Sequence, residues 1–120
     1  MTNNPKVVES YPGLDVRAVE GPVLELFLRV RDLVHRGHRL LTHPLSGSLK
    51  PGRIPYKTVI LEAAKTGLDL ESLRYIENSI EAYHRTAAGS PAAWPEPLLA
   101  DYAVIDLSHV QAALESLGAQ

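Results

Sequence analysis

The chain contains no cysteine. That absence excludes disulfides, thiol nucleophiles, iron–sulfur clusters and cysteine-ligated zinc together, and it fits a reducing compartment. Aromatic residues are scarce, and no stretch interleaves them with basic residues as a nucleic-acid reader does. A formal net charge of −2 argues against nucleic acid in the same direction. No apolar run approaches the roughly 20 residues of a membrane span. Met1-Thr2-Asn3-Asn4-Pro5 has neither the basic start nor the apolar core of a signal peptide. The expectation is a cytoplasmic protein with no membrane or nucleic-acid partner. Walker A, nucleophile-elbow and other cofactor or nucleophile fingerprints are missing as well, so no cofactor is implied.

What is present suits a small folded domain. The 120 residues are enough for one domain over 1–120 and for a core without staples. Charge is uneven. Seven Lys or Arg lie between positions 29 and 57 against one acid, Asp32, and beyond position 61 acids outnumber bases. A positive surface region that favours anionic ligands or acidic partners follows from that asymmetry.

Periodicity gives an alternation of elements. Asn4 and Pro5 open a short helix over 5–10. Leu14, Val16 and Ala18 alternate with polar residues, which predicts a strand over 14–20. Val23, Leu26, Phe27, Val30, Leu33 and Val34 form one helical stripe that stops at Gly37. Strands are expected over 39–42 and 56–61. Asp69 caps a second long helix whose buried face holds Leu73, Ile76, Ile80 and Tyr83, with Asn78 and Ser79 beside it as hydrogen-bonding or site residues. A Pro- and Ala-rich connector over 87–97 carries Trp94, expected in the core. A helical turn over 97–100 and a last strand over 102–107 follow, and Ser108 then caps a terminal helix. Strands alternating with helices predict an α/β fold: a small three-layer α/β sandwich with a mainly parallel sheet.

In such a sheet ligands sit beyond the carboxyl ends of the strands. Attention therefore falls on residues 43–55, a long irregular segment with three prolines and two glycines. Ser46, Gly47 and Ser48 offer hydroxyls and backbone amides, and Lys50 and Arg53 offer charge. Together they suit a carboxylate or phosphate. His43, at a strand end and titrating near neutrality, is the candidate acid–base group. Asn3 and Asn4 place two amides at a helix start, an anion-binding arrangement. His35, His38 and His43 do not make a metal set, because the first two straddle a helix end and no carboxylate joins them.

Several of these segments resemble one family. Thr2-Asn3-Asn4-Pro5, the run from Val30 to Ser48, Pro55-Tyr56-Lys57, Leu68-Asp69-Leu70-Glu71-Ser72-Leu73, Ile76-Glu77-Asn78-Ser79-Ile80-Glu81, Trp94-Pro95-Glu96 and Ile105-Asp106-Leu107-Ser108 are similar to the GrdX family. The resemblance spans nearly the whole chain. It implies a small accessory protein of glycine, sarcosine or betaine reductase systems, with components of those reductases as partners. It assigns no catalytic residue. Two readings follow. One is an accessory protein that holds a partner subunit or a small anion through residues 43–55. The other is a small enzyme acting on a carboxylate or acyl phosphate, with His43 as acid or base, Asn3 and Asn78 as orienting groups and Lys50 or Arg53 as anion clamps.

Overall fold

The computed structural model describes residues 1–91 and 93–118. Asn4 caps helix α1 (Pro5–Ser10): its side chain accepts from the Lys6 N–H at 3.0 Å, and Pro5 stands where no amide is needed. Helix α2 (Val23–His35) buries Val23, Leu26, Phe27, Val30 and Val34 along one stripe and ends before Gly37. Asp69 caps helix α3 (Leu70–Thr86) by accepting from the Ser72 N–H at 3.1 Å. Ile76 and Ile80 of α3, with Val59 from an extended segment, close on the α2 stripe to form the core. Each such side chain contributes about 1.5–3 kcal/mol on burial. Trp94 lies outside this cluster: it is half-buried, with its ring edge-on to Tyr102 at 5.4 Å. The 87–97 connector includes Ala92, which lies outside the described residues.

The expected three-layer sandwich does not form. Among the described residues the sheet is two antiparallel strands, β1 (His38–Leu40) and β2 (Leu61–Lys65), pairing His38 with Lys65 and Leu40 with Leu61. The 14–20 segment contributes one parallel bridge, Thr2 to Ala18, and the 56–61 segment one antiparallel bridge, Thr2 to Thr58. Residues 1–3 thus thread between two extended segments without building a ladder.

The largest departure is residues 102–107, which are helical. They lie inside helix α4 (Glu96–Ser116), whose first turn is the one expected at 97–100, and Ser108 falls in its middle. The physical reason is continuity. No Gly, Pro or Asn stands between Leu98 and Ser108, so nothing ends the helix that starts at Glu96. The β-branched residues there cost little in a helix. Helix α4 packs on α1, away from the α2–α3 core. Its buried residues are Asp106 and Val110, while Leu98, Val104 and Ile105 are exposed. No described helix is long and apolar enough to cross a membrane.

Candidate functional site

Residues 43–55 are bound to the body of the protein rather than projecting from it. Pro44, Pro51, Gly52 and Pro55 are buried. The Ser46 N–H donates to the His43 carbonyl at 2.9 Å and the Ser48 N–H to the Leu45 carbonyl at 3.0 Å, so these amides close turns instead of facing a ligand. Residues Pro51–Arg53 form a 3-10 turn against the end of α3. There Gly52 is required by packing: a Cβ on it would lie 2.5 Å from the Tyr83 carbonyl oxygen. Its N–H donates to Thr86 Oγ1 at 2.8 Å, and Arg53 Nε donates to the Thr86 carbonyl at 3.3 Å. Arg53 therefore serves a helix C-terminus, where a cation suits the dipole. Lys50 is exposed on the outer side.

The inner side of this segment faces α4 across a cleft. Gly47, at φ +87°, lies against the His109 ring, which a Cβ there would strike at 2.6 Å. Beside that contact are two adjoining cavities. One is lined by Thr42, His43, Ser46, Thr58, Ile60 and Val110, among others. The second is lined by Gly47, Ser48, Tyr56, Tyr102 and Ile105, among others. Lys57, Asp106 and His109 line both.

The asparagines of the Thr2-Asn3-Asn4 segment place those groups. Asn3 Oδ1 accepts from the Lys57 N–H at 2.8 Å, and its Nδ2 donates to the Gly21 and Pro55 carbonyls at 3.0 and 2.8 Å. Asn4 Nδ2 donates to the Ala103 carbonyl and to Asp106 Oδ2, each at 3.0 Å. Thr58 Oγ1 donates to Asp106 Oδ2 at 2.7 Å. Since a hydroxyl has one proton, Thr2 Oγ1 is then the donor in its 2.7 Å contact with Thr58 Oγ1. Both asparagines are thus fully engaged within the protein. They hold Lys57 and Asp106 in place and leave no amide free for an anion.

Lys57 is 6 % exposed, and its Nζ donates to the Ser46 carbonyl oxygen. Among the described residues it makes no ion pair. Burial pushes its amino group below the ordinary lysine range, against the opposing pull of Asp106. His43 has an exposed edge, but its ring stacks at 4.6 Å on Tyr75 and its Nδ1 accepts from the Leu45 N–H at 3.0 Å. Desolvation, and then Lys57, lower its affinity for a proton. Neutral His43 therefore carries its proton on Nε2, as a hydrogen-bond donor. To act as a base it would have to take a proton at Nδ1 and lose the Leu45 bond.

The structure brings His43, Ser46, Gly47 and Ser48 to the cleft. Asn3 and Asn4 support it from behind, and Lys50, Arg53 and Asn78 lie elsewhere. Asn78 is exposed on α3, and it is Ser79 that is buried, donating to the Tyr75 carbonyl at 2.7 Å. Among the described residues Asn3, His43 and Asn78 share no hydrogen bond. Lys57, Thr58, Asp106 and His109 were not singled out from the sequence. A helical reading of 102–113 would have found two of them, because Tyr102, Asp106, His109 and Ala113 share one helix face. Among the described residues no group of three His, Asp or Glu could hold a metal.

A family model described as GrdX-like protein matches residues 1–115. No curated protein and no solved structure matches the chain. With nearly the whole chain inside that match, this protein belongs to the GrdX-like family.

Proposed function

We propose that this chain is an accessory protein of a glycine, sarcosine or betaine reductase system, and that it holds a small carboxylate or acyl-phosphate metabolite in the cleft between residues 43–58 and α4. Membership of the GrdX-like family supports the first part. One observation carries the second: the Lys57 amino group, buried and without an ion pair among the described residues, stands where two cavities meet. An amine in that setting is costly to the fold unless something in the cavity uses it. His43 Nε2–H and His109 at the rim suit the anionic end of a small metabolite, and Ile60, Val110 and Ala113 suit its apolar part.

The test is a thermal-shift titration with acetate, pyruvate and acetyl phosphate, using wild type and Lys57→Met. At a ligand concentration near 100 Kd, binding adds about 2.7 kcal/mol. The expected result is a saturable rise in Tm for wild type with at least one of the three, lost in the variant. A flat response to all three sinks the reading.

A second reading has its own observation. Leu49 is 80 % exposed at the outer tip of the segment, beside Lys50. A single apolar anchor next to a cation suits a reductase subunit. Affinity capture from an extract containing the reductase, with wild type and Leu49→Ser, tests it. Equal capture by both proteins removes Leu49 from the interface.

A further inference from the structure

We propose that the Lys57 amine is a nucleophile that captures the carbonyl carbon of a small 2-oxo acid as an imine. The inference deepens the cleft reading above and rests on it.

The chain has four lysines. Lys6, Lys50 and Lys65 are exposed, and only Lys57 is buried. An ammonium has three protons to place, and burial without acceptors is expensive. Among the described residues Lys57 has one acceptor, the Ser46 carbonyl oxygen. A neutral amine leaves one N–H unplaced in that arrangement where an ammonium leaves two. It donates one N–H to Ser46 and keeps a lone pair for the cavities that it lines on either side. The neighbouring walls of Ile60, Val110 and Ala113 favour the neutral form further, and the direction in which burial moves this group agrees.

The same surroundings argue against Lys57 as a plain anion clamp. Asp106 lines both cavities with it and would repel an anion brought to the amine. In a 2-oxo acid the reacting carbon itself is uncharged, and the carboxylate bonded to it has to turn away from Asp106. The carboxylate of a 2-oxo acid can lie at the rim, where His43 and His109 stand, while its carbonyl reaches Lys57. Asp106 Oδ2 already accepts from Asn4 and Thr58, which holds the carboxyl group in one orientation beside the reacting space.

The step balances without a further reactant. Nζ adds to the carbonyl carbon, the C–N bond forms, and the C=O pair moves to oxygen. The two protons that leave nitrogen end on that oxygen, which departs as water when the C–O bond breaks. Asp106 is the carboxylate placed to carry protons between them.

Reductive trapping tests this. The full chain is incubated with pyruvate and cyanoborohydride near neutral pH, and peptide mapping locates the adduct. Acetone, a ketone without the carboxylate, runs in parallel. The expected result is an adduct at Lys57 about ten-fold above those at Lys6, Lys50, Lys65 and the Met1 amine, since a positioned, desolvated amine outcompetes exposed ammonium groups. Acetone should give less. Lys57→Arg removes the amine while keeping a long basic side chain and should show no adduct at that position, with its fold checked by circular dichroism. The wild-type map stands even if that variant fails to fold. Adducts spread evenly over the exposed amines, or centred on Met1, overturn the proposal. If pyruvate stabilises the protein but leaves Lys57 unlabelled, the cleft binds and the covalent step is wrong. If it does neither, the covalent step is wrong, and the cleft reading is decided by acetate and acetyl phosphate.

Discussion

The two adjacent asparagines act as ties between distant parts of the chain. Asn3 joins residues 21, 55 and 57, and Asn4 joins the start of α1 to Ala103 and Asp106 on α4. Asn4→Ala removes a helix cap and leaves Asp106 Oδ2 short of a donor. These losses should cost about 2–4 kcal/mol in urea unfolding at neutral pH. Asn4→Asp keeps the cap but turns a carboxylate toward Asp106, so it should also destabilise. If Asn4→Asp matches wild type, the Asn4–Asp106 bond contributes nothing to the fold.

Among the elements, α4 departs furthest from its expected form. Tyr102 to Leu107 reads as a strand when taken alone, because it is apolar and partly β-branched. Helical hydrogen bonding continues through it from Glu96 to Ser116. One exposed position separates the two conformations. Val104 is 51 % exposed. On a helix, Val104→Ala should gain up to about 0.5 kcal/mol from propensity. In a buried strand the same change would lose apolar packing. A fall in Tm would argue against the helix. The long helices α2 and α3 were legible because each combines an apolar stripe with a clear start or stop: Gly37 after α2, Asp69 before α3. The residues of α4 offer no comparable stripe, since its apolar side chains are spread around the helix.

For the whole molecule, the consequence is a buried amine that gives up its proton more readily in the folded chain than in the unfolded one. Burial moves Lys57 below its ordinary value of 10.5. Between that lowered value and 10.5 the unfolded chain binds the proton that the folded chain has released. Stability therefore rises with pH across this window, and the penalty is fully present at lower pH. Lys57→Met removes the group. It should stabilise the protein at neutral pH by about 1 kcal/mol and abolish that part of the alkaline rise. Urea unfolding of both proteins at a series of pH values measures it. Parallel curves for the two would mean that Lys57 is solvated in the folded state.

Local signals alone determined the caps at Asn4 and Asp69, the stop at Gly37, the apolar faces of α2 and α3, and the attention given to residues 43–55. Each depends on groups within one or two helical turns, where spacing translates directly into contact. The family was legible too, because its motifs are runs of adjacent residues. Tertiary structure alone decided that residues 102–107 are helical, that Gly52 serves packing, and that Arg53 turns to α3. It also decided that Lys57 and Asp106 face one cleft. Lys57 and Asp106 lie on different segments, and they meet only because Asn3, Asn4 and Thr58 hydrogen-bond across the chain. Hydrogen bonds between residues so far apart in sequence leave no periodic trace in it.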